Sequence, residues 1–446
     1  MIASCQIRRW KDMERWIPGG DSVWDFIHPL APLEDLLTPR VERLGLTGDL
    51  GDWLPITIHF DGSIVPRDRQ RAFKGGMFAS YPGDLIFSKI DARNGAIGLV
   101  PVSLPKVVVT GEYPVHVPDG EQVDARYLAL LLRTPNFLQL IRRAASGTSG
   151  RKRITPENFR AIQVPLPDKS HQQRLVAAYH AALESAAKLE GQATHVERHG
   201  QLEFEAALGL TPPPDLPKRR FQIARFKDIE RWSHEGILQR ALLGDKAPES
   251  KFEMVTLADV ATISYGLQKC PGNRPGKHPR PYLRVANVQR GRLDLREIKQ
   301  INVPDEDMRK YRLETGDVLF VEGNGSRKEL GRVAIWNGEI ENCVHQNHII
   351  KARLDQSKAV PEFIAAWFNT ETGRMHFFRN AKTTSGLGTI NSTEVRIAPL
   401  PLPGKKEQAA VVRDLERTAQ KAKSLRESAA KKRTDAWNDF ITAIFM

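Results

Sequence analysis

Two stretches of the chain place apolar residues every three or four positions, which is the period of an α-helix. The first covers residues 175–196 and the second residues 411–444. In both, the apolar stripe is narrow and the other positions are charged, as in a coiled-coil seam. A helix of about 38 residues is roughly 57 Å long, and alone it would expose its seam. We therefore expect the two helices to pair; the alternative is that each lies separately on its own domain.

Shorter patterns ahead of each long helix mix strands and helices. Apolar, β-branched runs at residues 56–60, 106–110 and 333–336 predict strands. Residues 127–133 and 363–369 have a helical pattern and predict helices packed on those strands. The globular segments are therefore predicted to be mixed α and β.

Local signals mark where several elements begin and end. Thr155 followed by Pro156 predicts a helix start, and Asn391 with Glu394 three residues later predicts another. A Val-Pro-Leu-Pro run ends the first segment at Pro167, because two prolines at this spacing forbid a helix interior and a central strand.

The whole plan occurs twice along the chain. Residues 127–134 (YLALLLRT) return as residues 363–370 (FIAAWFNT), an offset of 363 − 127 = 236. The same offset relates Thr148-Ser149-Gly150 to Thr384-Ser385-Gly386, Ile154 to Ile390, Val164-Pro165-Leu166-Pro167 to Leu400-Pro401-Leu402-Pro403, and Gln172 and Val176 to Gln408 and Val412. The words QIRRWKDMERW at 6–16 and PGDLIF at 82–87 also return, as QIARFKDIERW at 222–232 and TGDVLF at 315–320. One register held over so many positions indicates a duplication of about 1–210 as about 221–446, joined by the Pro-rich residues 211–220.

The composition of the chain indicates what kind of partner it binds. The chain has 446 residues, which suggests two or three domains, and its apolar fraction of 41% with 27% charged residues is that of an ordinary folded protein. Lys and Arg number 66 against 53 Asp and Glu, a formal net charge of +13 with a pI near 9.6. This excess predicts a polyanionic partner, nucleic acid first and an anionic membrane surface second.

Cysteine usage and the apolar runs predict a cytoplasmic protein. Cys5, Cys270 and Cys343 are far apart and form no CxxC pair, which favours a reducing compartment. The first residues are charged from Arg8 onward, and the longest apolar runs fall well short of the roughly 20 residues that span a bilayer. We therefore expect neither a signal peptide nor a membrane span.

The duplicated arrangement resembles the specificity (S) subunit of type I restriction–modification systems. The residues that carry the resemblance are GTSGRKRI at 147–154 with VPLP at 164–167 and Gln172-Gln173, TSGLGTI at 384–390 with LPLP at 400–403 and Glu407-Gln408, and GDVLF at 316–320 with GRVA at 331–334. The resemblance covers nearly the whole chain, and the first unit departs from it most around residues 21–71.

The resemblance implies an α+β fold in which two similar α/β target recognition domains are separated by a pair of long antiparallel coiled-coil helices, with a pseudo-two-fold internal repeat. The implied segments are a first target recognition domain at 1–168, a first spacer helix at 169–210, a linker at 211–220, a second target recognition domain at 221–403 and a second spacer helix at 404–446. It also implies double-stranded DNA as partner, two methyltransferase (M) subunits that carry S-adenosylmethionine, restriction (R) subunits, and no cofactor on this chain.

The stretches between the repeated words do not align with each other. Residues 58–74 and 266–302 share no register, although the framework around them does. A repeated framework with unrepeated surfaces predicts two different half-sites, and hence a split, non-palindromic DNA target.

Candidate DNA contacts are cations suited to phosphates and Asn, Gln and Arg side chains suited to base edges. They are Lys89, Arg93, Asn94, Ser149, Arg151, Lys152 and Arg153 in the first unit, and Lys269, Arg274, Arg284, Asn287, Asn324, Ser326, Arg327, Lys328, Gln346 and Asn347 in the second. Arg284 and Asn287 lie on opposite phases of a predicted strand, so we expect only one of them to face DNA. For each loop the alternative is a solvated surface turn, and for residues 344–348 it is internal hydrogen bonding.

The sequence contains no complete catalytic or metal-binding motif of the common kinds. GNGSRK at 323–328 has the wrong order and spacing for a phosphate-binding loop, and neither a GxSxG elbow nor an HExxH helix occurs. Cys343, His345 and His348 lack a second ligand cluster at zinc spacing. The sequence thus predicts a non-catalytic DNA-recognition subunit without a metal. The alternatives are a structural adaptor or RNA-binding protein, and a nuclease or methyltransferase with a cryptic site.

Overall fold

The computed structural model describes residues 27–46, 48–68, 75–145, 152–210, 249–270, 272, 274–324, 329–384 and 387–445. These residues form two compact units. The described residues up to Leu189 together with those from Glu427 onward make up the first unit, and those from Glu190 to Arg426 make up the second. The repeated words at 6–16 and 222–232 and the predicted linker at 211–220 lie outside the described residues.

Short strands and helices build the globular part of the first unit. Its strands are β1 Leu30–Pro32, β2 Leu37–Arg40, β3 Arg43–Leu44, β4 Leu54–Ile58, β5 Ile64–Pro66, β6 Met77–Ser80, β7 Leu85–Phe87, β8 Ile97–Leu99, β9 Val107–Thr110, β10 Val115–Pro118 and β11 Gln163–Pro165. Its helices are α1 Leu33–Leu36, α2 Ala125–Leu131, α3 Pro135–Ala144 and α4 Pro156–Arg160, followed by the long α5 Lys169–Ala207, which continues into the second unit.

The second unit has a richer set of strands. They are β12 Met254–Thr256, β13 Ala261–Tyr265, β14 Pro279–Leu283, β15 Val288–Gln289, β16 Arg292–Leu293, β17 Lys299–Asn302, β18 Asp317–Val321, β19 Gly323–Asn324, β20 Val333–Trp336, β21 Val344–His345, β22 Ile349–Leu354, β23 Lys382–Thr384, β24 Leu387–Thr389 and β25 Pro399–Pro401. Its helices are α6 Asp305–Tyr311, α7 Pro361–Asn369, α8 Glu371–Asn380 and α9 Ser392–Arg396, followed by the long α10 Lys405–Phe445, whose residues from Glu427 onward belong to the first unit.

One sheet topology occurs in both units. The order β2-β10-β7-β8 in the first unit corresponds to β13-β22-β18-β20 in the second, and all neighbours in both sheets are antiparallel. A two-stranded pair closes each unit, β1 with β11 and β12 with β25. The other sheets differ: the first unit adds the five-stranded β3-β6-β9-β4-β5, whereas the second adds β17-β14-β21, β15-β16 and β19-β24-β23. The duplicated words therefore correspond to a duplicated framework, and the unaligned stretches to unlike sheets.

The Gly-Asp word that occurs in both units forms a turn with a buried carboxylate. Gly83 and Gly316 have φ of 89° and 92°, a left-handed backbone that favours glycine. The Asp84 carboxylate accepts hydrogen bonds from Arg40 Nε at 2.9 Å and from the Tyr81 backbone N–H at 2.8 Å. Asp317 accepts from Arg353 Nη2 at 2.8 Å and from the Glu314 backbone N–H at 2.7 Å. A charge is buried in each unit only because an arginine and a backbone donor satisfy it.

The predicted helix starts at residues 155 and 391 are confirmed. The Thr155 hydroxyl accepts from the backbone N–H of Asn158, and Pro156 occupies the first turn. The Asn391 side chain accepts from the backbone N–H of Glu394 at 3.0 Å. Each cap satisfies a donor that the first helical turn would otherwise leave free.

A buried glutamine fixes the start of each long helix to its globular part. The Gln172 Oε1 atom accepts from the Asp124 backbone N–H at 2.8 Å, and its Nε2 donates to the Pro167 carbonyl at 2.8 Å. Gln408 does the same with the Val360 N–H at 2.9 Å and the Pro403 carbonyl at 2.8 Å, with a further bond to the Lys358 carbonyl at 3.0 Å. Neither side chain has any exposed surface. The repeated glutamine is thus a structural residue.

The helical patterns at 175–196 and 411–444 are confirmed by α5 and α10, which have 39 and 41 residues. Within the first unit, the Tyr179 ring of α5 lies 5.9 Å from the Trp437 ring and 6.2 Å from the Phe440 ring of α10. Their apolar stripes therefore contact each other in this unit.

The same two helices also meet within the second unit. A Cβ atom added to Gly200 of α5 would lie 2.1 Å from Thr418 Oγ1 of α10, so glycine allows this approach. Nearby, Arg426 Nη2 donates to Glu197 Oε2 at 2.6 Å, and this bond lowers the pKa of the Glu197 carboxyl. Because the partner number falls as the α5 number rises, the helices run antiparallel in this unit.

Aromatic rings surround one buried histidine in the first unit. Phe87 and Phe159 stack with centroids 4.0 Å apart, and His116 stacks on Phe87 at 5.8 Å. Among the described residues neither His116 ring nitrogen has a hydrogen-bond partner. Burial, with a smaller contribution from Arg160, lowers the pKa of His116 to about 4.

None of the helices in the described ranges has both the length and the apolar content that a membrane span requires.

Replacing Gln408 with leucine should destabilise the second unit. The Val360 N–H and the Pro403 and Lys358 carbonyls would lose their buried partner, and we expect the free energy of unfolding to fall by about 2–3 kcal/mol. Urea denaturation followed by tryptophan fluorescence measures the change. Gln420→Leu, at an exposed position of the same helix, is the control. Equal midpoints for the two variants would show that the buried hydrogen bonds contribute nothing.

His116 should make the stability of the first unit depend on pH. Because its folded pKa is depressed, the unfolded chain takes up a proton below about pH 6.5 while the folded chain does not. Stability should therefore be complete above pH 6.5 and fall by up to about 3 kcal/mol as the pH approaches 4. His116→Phe keeps the ring stack and should remove this part of the pH dependence, whereas His180→Ala, at an exposed position, should not. A parallel pH profile for wild type and His116→Phe would contradict the assignment.

Candidate nucleic-acid interface

Backbone hydrogen bonds bring two predicted segments of the first unit together. The Lys89 N–H donates to the Glu112 carbonyl at 3.0 Å, and the Ile154 N–H donates to the Lys89 carbonyl at 2.9 Å. The Arg153 Nε atom donates to Glu112 Oε2 at 3.2 Å. Lys89 and Arg153, which are far apart in sequence, are therefore neighbours, with the exposed Lys152 beside them.

A short 3-10 helix at Ala92–Asn94 carries two more predicted residues. Gly95 ends it with φ of 104°, and the exposed Asn94 donates to Asp91 Oδ1 at 3.3 Å. Helix α3 packs against it, since Arg142 Nε donates to the Arg93 carbonyl at 3.0 Å. Arg142 therefore joins the same surface, although sequence reasoning missed it. The adjacent arginines at 142 and 143 were the available signal, but only the fold places Arg142 beside Arg93.

We call Lys89, Arg93, Arg142, Lys152 and Arg153 the first basic surface. Four of its five members were predicted from the sequence; Ser149 and Arg151, also predicted, lie outside the described residues. Arginine and lysine side chains gathered on one surface suit phosphate oxygens, which fix a protein on a duplex without reading its sequence.

In the second unit, two predicted segments are joined by main-chain hydrogen bonds. The Leu267 N–H donates to the His345 carbonyl at 2.8 Å, and the Asn347 N–H donates to the Leu267 carbonyl at 3.0 Å. Lys269 is exposed and the side chains of Gln346 and Asn347 are half-buried. The structure therefore brings Lys269, Gln346 and Asn347 to one place. Arg274 is exposed further along the same segment.

Asn287 requires a correction. It is only 3% exposed, its Oδ1 accepts from the Arg284 N–H at 2.9 Å, and its Nδ2 donates to the Asp294 and Glu297 carbonyls at 2.8 and 3.0 Å. Its polar atoms are used inside the protein, so a DNA contact expected for Asn287 does not fit this structure. Arg284 Nη2 in turn donates to the Glu297 carbonyl at 3.0 Å.

The remaining predicted residues of the second unit lie at or within a gap in the described ranges, between residues 324 and 329. The backbone of Asn324 lies in β19, which pairs with β24 through Asn324 and Gly388. Ser326, Arg327 and Lys328 lie outside the described residues.

A cavity of about 500 Å³ lies next to β19 in the second unit. It is lined by Val285, Glu322, Gly323, His348, Asn380, Thr389, Ile390, Asn391 and Glu394. The His348 Nδ1 and Glu322 Oε2 atoms are 2.6 Å apart, and the His376 Nε2 atom lies 2.9 Å from the Glu394 carbonyl oxygen. Sequence reasoning missed this cavity, because its walls come from five separate stretches of chain.

The Cys343 and His345 side chains are buried in the core of the second unit. His345 Nδ1 lies 3.1 Å from the Tyr311 carbonyl oxygen, and burial, followed by the charge of Lys351, lowers the pKa of His345 to about 3. Burial raises the pKa of the Cys343 thiol to about 12. In the described ranges, no three His, Cys, Asp or Glu side chains are grouped so that they could hold a metal ion.

Comparison with known proteins indicates which class of protein this chain is similar to. No family model matches the chain. The type I restriction enzyme EcoKI specificity subunit of Escherichia coli (strain K12) is 26% identical over 265 residues, which cover 59% of this chain and 52% of that protein. The StySPI specificity subunit of Salmonella potsdam is 32% identical over 136 residues, 30% of this chain and 29% of that protein. The chain thus matches about half the length of the first relative and less of the second.

A solved structure shares the fold. It comes from work on the structural basis of complex assembly and conformational transition of the type I R-M system. That structure superposes on this chain with a TM-score of 0.56 at 15% identity, over 95% of this chain and 97% of that one. The mixed α/β fold is therefore that of a chain from a type I system. Together with the named relatives, it confirms the resemblance found in the sequence: this chain is similar to type I restriction enzyme specificity subunits.

The correction for Asn287 can be tested on stability. Asn287→Ala would leave the Arg284 N–H and two carbonyls without their partner, so we expect the free energy of unfolding of the second unit to fall by about 2–3 kcal/mol. Asn347→Ala, the matched control, should change it by less than about 0.5 kcal/mol. Thermal unfolding of both variants measures this. A wild-type transition for Asn287→Ala would return that residue to the candidate DNA contacts.

Proposed function

We propose that this chain is the sequence-specific DNA-recognition subunit of a type I restriction–modification complex. One observation supports this most: the same framework, with its Gly-Asp turn and buried glutamine, occurs twice, while the candidate surfaces on it differ. A duplicated frame with unlike surfaces suits a DNA target of two unlike half-sites. The proposed target is accordingly bipartite and non-palindromic.

The proposed DNA contacts combine phosphate binding with base readout. In the first unit, the first basic surface would neutralise phosphates, and Asn94 would contact a base edge. In the second unit, Lys269, Arg274, Gln346 and Asn347 are the described candidates. Counterion release from phosphates makes such binding depend steeply on salt.

The long helices would hold the two target recognition domains at a fixed separation. The contacts within each unit support an antiparallel coiled-coil pair with a pseudo-two-fold repeat, in which the spacer helices correspond to α5 and α10. A separation of the half-sites near one turn of duplex, about 34 Å, is the order of magnitude that two-fold DNA readers use.

In this proposal, the chain has no chemistry of its own. Two methyltransferase subunits would dock on it, carry S-adenosylmethionine and flip the target adenine into their own pockets, as enzymes that act on bases must. Restriction subunits would join the same complex. A cytoplasmic location, predicted from cysteine usage, belongs to the same proposal.

Co-expression with the neighbouring methyltransferase tests the function. Mapping methylated adenines across the genome should return one bipartite motif with unlike halves, and the chain or the methyltransferase alone should give none. A palindromic motif, or methylation by the methyltransferase without this chain, would contradict the proposal.

Assays on the purified chain distinguish the alternative functions. Methyl transfer or cleavage by the purified chain with DNA, magnesium and S-adenosylmethionine would indicate a cryptic enzyme. Equal competition by duplex DNA and RNA at fixed salt would indicate an adaptor or RNA-binding protein.

A further inference from the structure

Main-chain hydrogen bonds identify equivalent positions in the two units. In the first unit, Lys89 donates to the Glu112 carbonyl and accepts from the Ile154 N–H, at 3.0 and 2.9 Å. In the second unit, Glu322 donates to the His348 carbonyl at 3.0 Å and accepts from the Ile390 N–H at 2.8 Å. Lys89 therefore corresponds to Glu322, and Glu112 to His348.

The side chains at these positions have opposite character. The first unit has Lys89, Glu112 and, one residue before Ile154, Arg153, whose Nε donates to Glu112 at 3.2 Å. The second unit has Glu322 and His348 joined at 2.6 Å, and Thr389 where the first unit has Arg153. Two cations and a carboxylate in one unit thus correspond to a carboxylate and a histidine in the other.

The surroundings of Glu322 extend this difference. Its side chain, 22% exposed, borders the cavity beside β19, whose lining also includes the carboxylate of Glu394 and the amides of Asn380 and Asn391. A carboxylate at this position repels phosphate, so the second unit cannot bind phosphate here as the first unit is proposed to do. It suits a hydrogen-bond donor that carries no negative charge.

Such donors occur on base edges in the major groove. The exocyclic amino groups of cytosine (N4) and adenine (N6) donate there, and glutamate accepts from cytosine N4 in known pairings. With His348 Nδ1 donating to Oε2, the carboxylate is held in place, and among the described residues Oε1 remains to accept from a base.

We propose that Glu322, positioned by His348, determines base specificity in the second half-site by accepting a hydrogen bond from an exocyclic amino group, whereas Lys89 and Arg153 at the equivalent place in the first unit bind phosphate. This inference rests on the proposed function. It explains how one framework reads two unlike half-sites: exchange of the side chains at three equivalent positions turns a sequence-independent contact into a base contact.

The test compares full-length variants on a library of randomised duplexes at several salt concentrations, with sequencing of the bound fraction. Glu322→Gln should relax the preference at one position of the second half-site about tenfold or more, with an unchanged salt slope. Lys89→Gln should weaken binding to all sequences alike and lower the salt slope by about one. Glu362→Gln, at an exposed position of the same unit, is the control.

His348→Ala tests the positioning role and guards against a folding artefact. It should relax the same base position as Glu322→Gln, with a thermal transition like that of wild type; a purely structural role would not select one base position. Unchanged base preference in folded Glu322→Gln would overturn the inference while leaving the proposed function intact. If the wild-type chain enriches no sequence at all, the proposed function fails with it.

Discussion

The buried glutamine at the first turn of each long helix is the constraint on which the rest of the structure depends. Gln172 and Gln408 join the helix start to the main chain ahead of α2 and α7 and to the proline two residues after the preceding strand. Because a buried amide without partners costs more than a hydrogen bond gains, this junction has few alternative geometries. The direction in which each helix leaves its globular part is therefore set by the hydrogen bonds of one buried side chain. A rigid exit is what the proposed spacer between two DNA-reading surfaces would require.

The framework and the surface obey different physical demands. In the framework, Asp84 and Asp317 are buried with an arginine each, and loss of either partner would leave an uncompensated charge. At the surface, exchange of Lys89 for its equivalent Glu322 leaves the main-chain hydrogen bonds intact, because they involve only backbone atoms. Side chains there can change sign at little cost to folding. This contrast explains how the two copies could diverge in what they contact while retaining one topology.

Much of the fold could be predicted from the sequence, since it depends on local signals. The period of apolar residues predicted α5 and α10, and the caps at Thr155 and Asn391 and the Gly-Asp turns occur where the sequence indicates. Predicted strand and helix bounds shift by about two residues in places, as at β4, which covers Leu54–Ile58, where the apolar run indicated 56–60. Element ends depend on tertiary packing more than on pattern.

The sequence by itself determined the duplication, the mixed α/β class, the two long amphipathic helices and the resemblance to specificity subunits, because these features follow from periodicity and from repeated segments. Only the tertiary structure decided which polar side chains are available. It placed Asn287 in the interior, brought Arg142 beside Arg93, and made Lys89 and Glu322 equivalent through hydrogen bonds to residues well separated along the chain. Polar residues have no period that reports their partners, and burial is a property of the packed chain; that is the physical reason the site needed the structure.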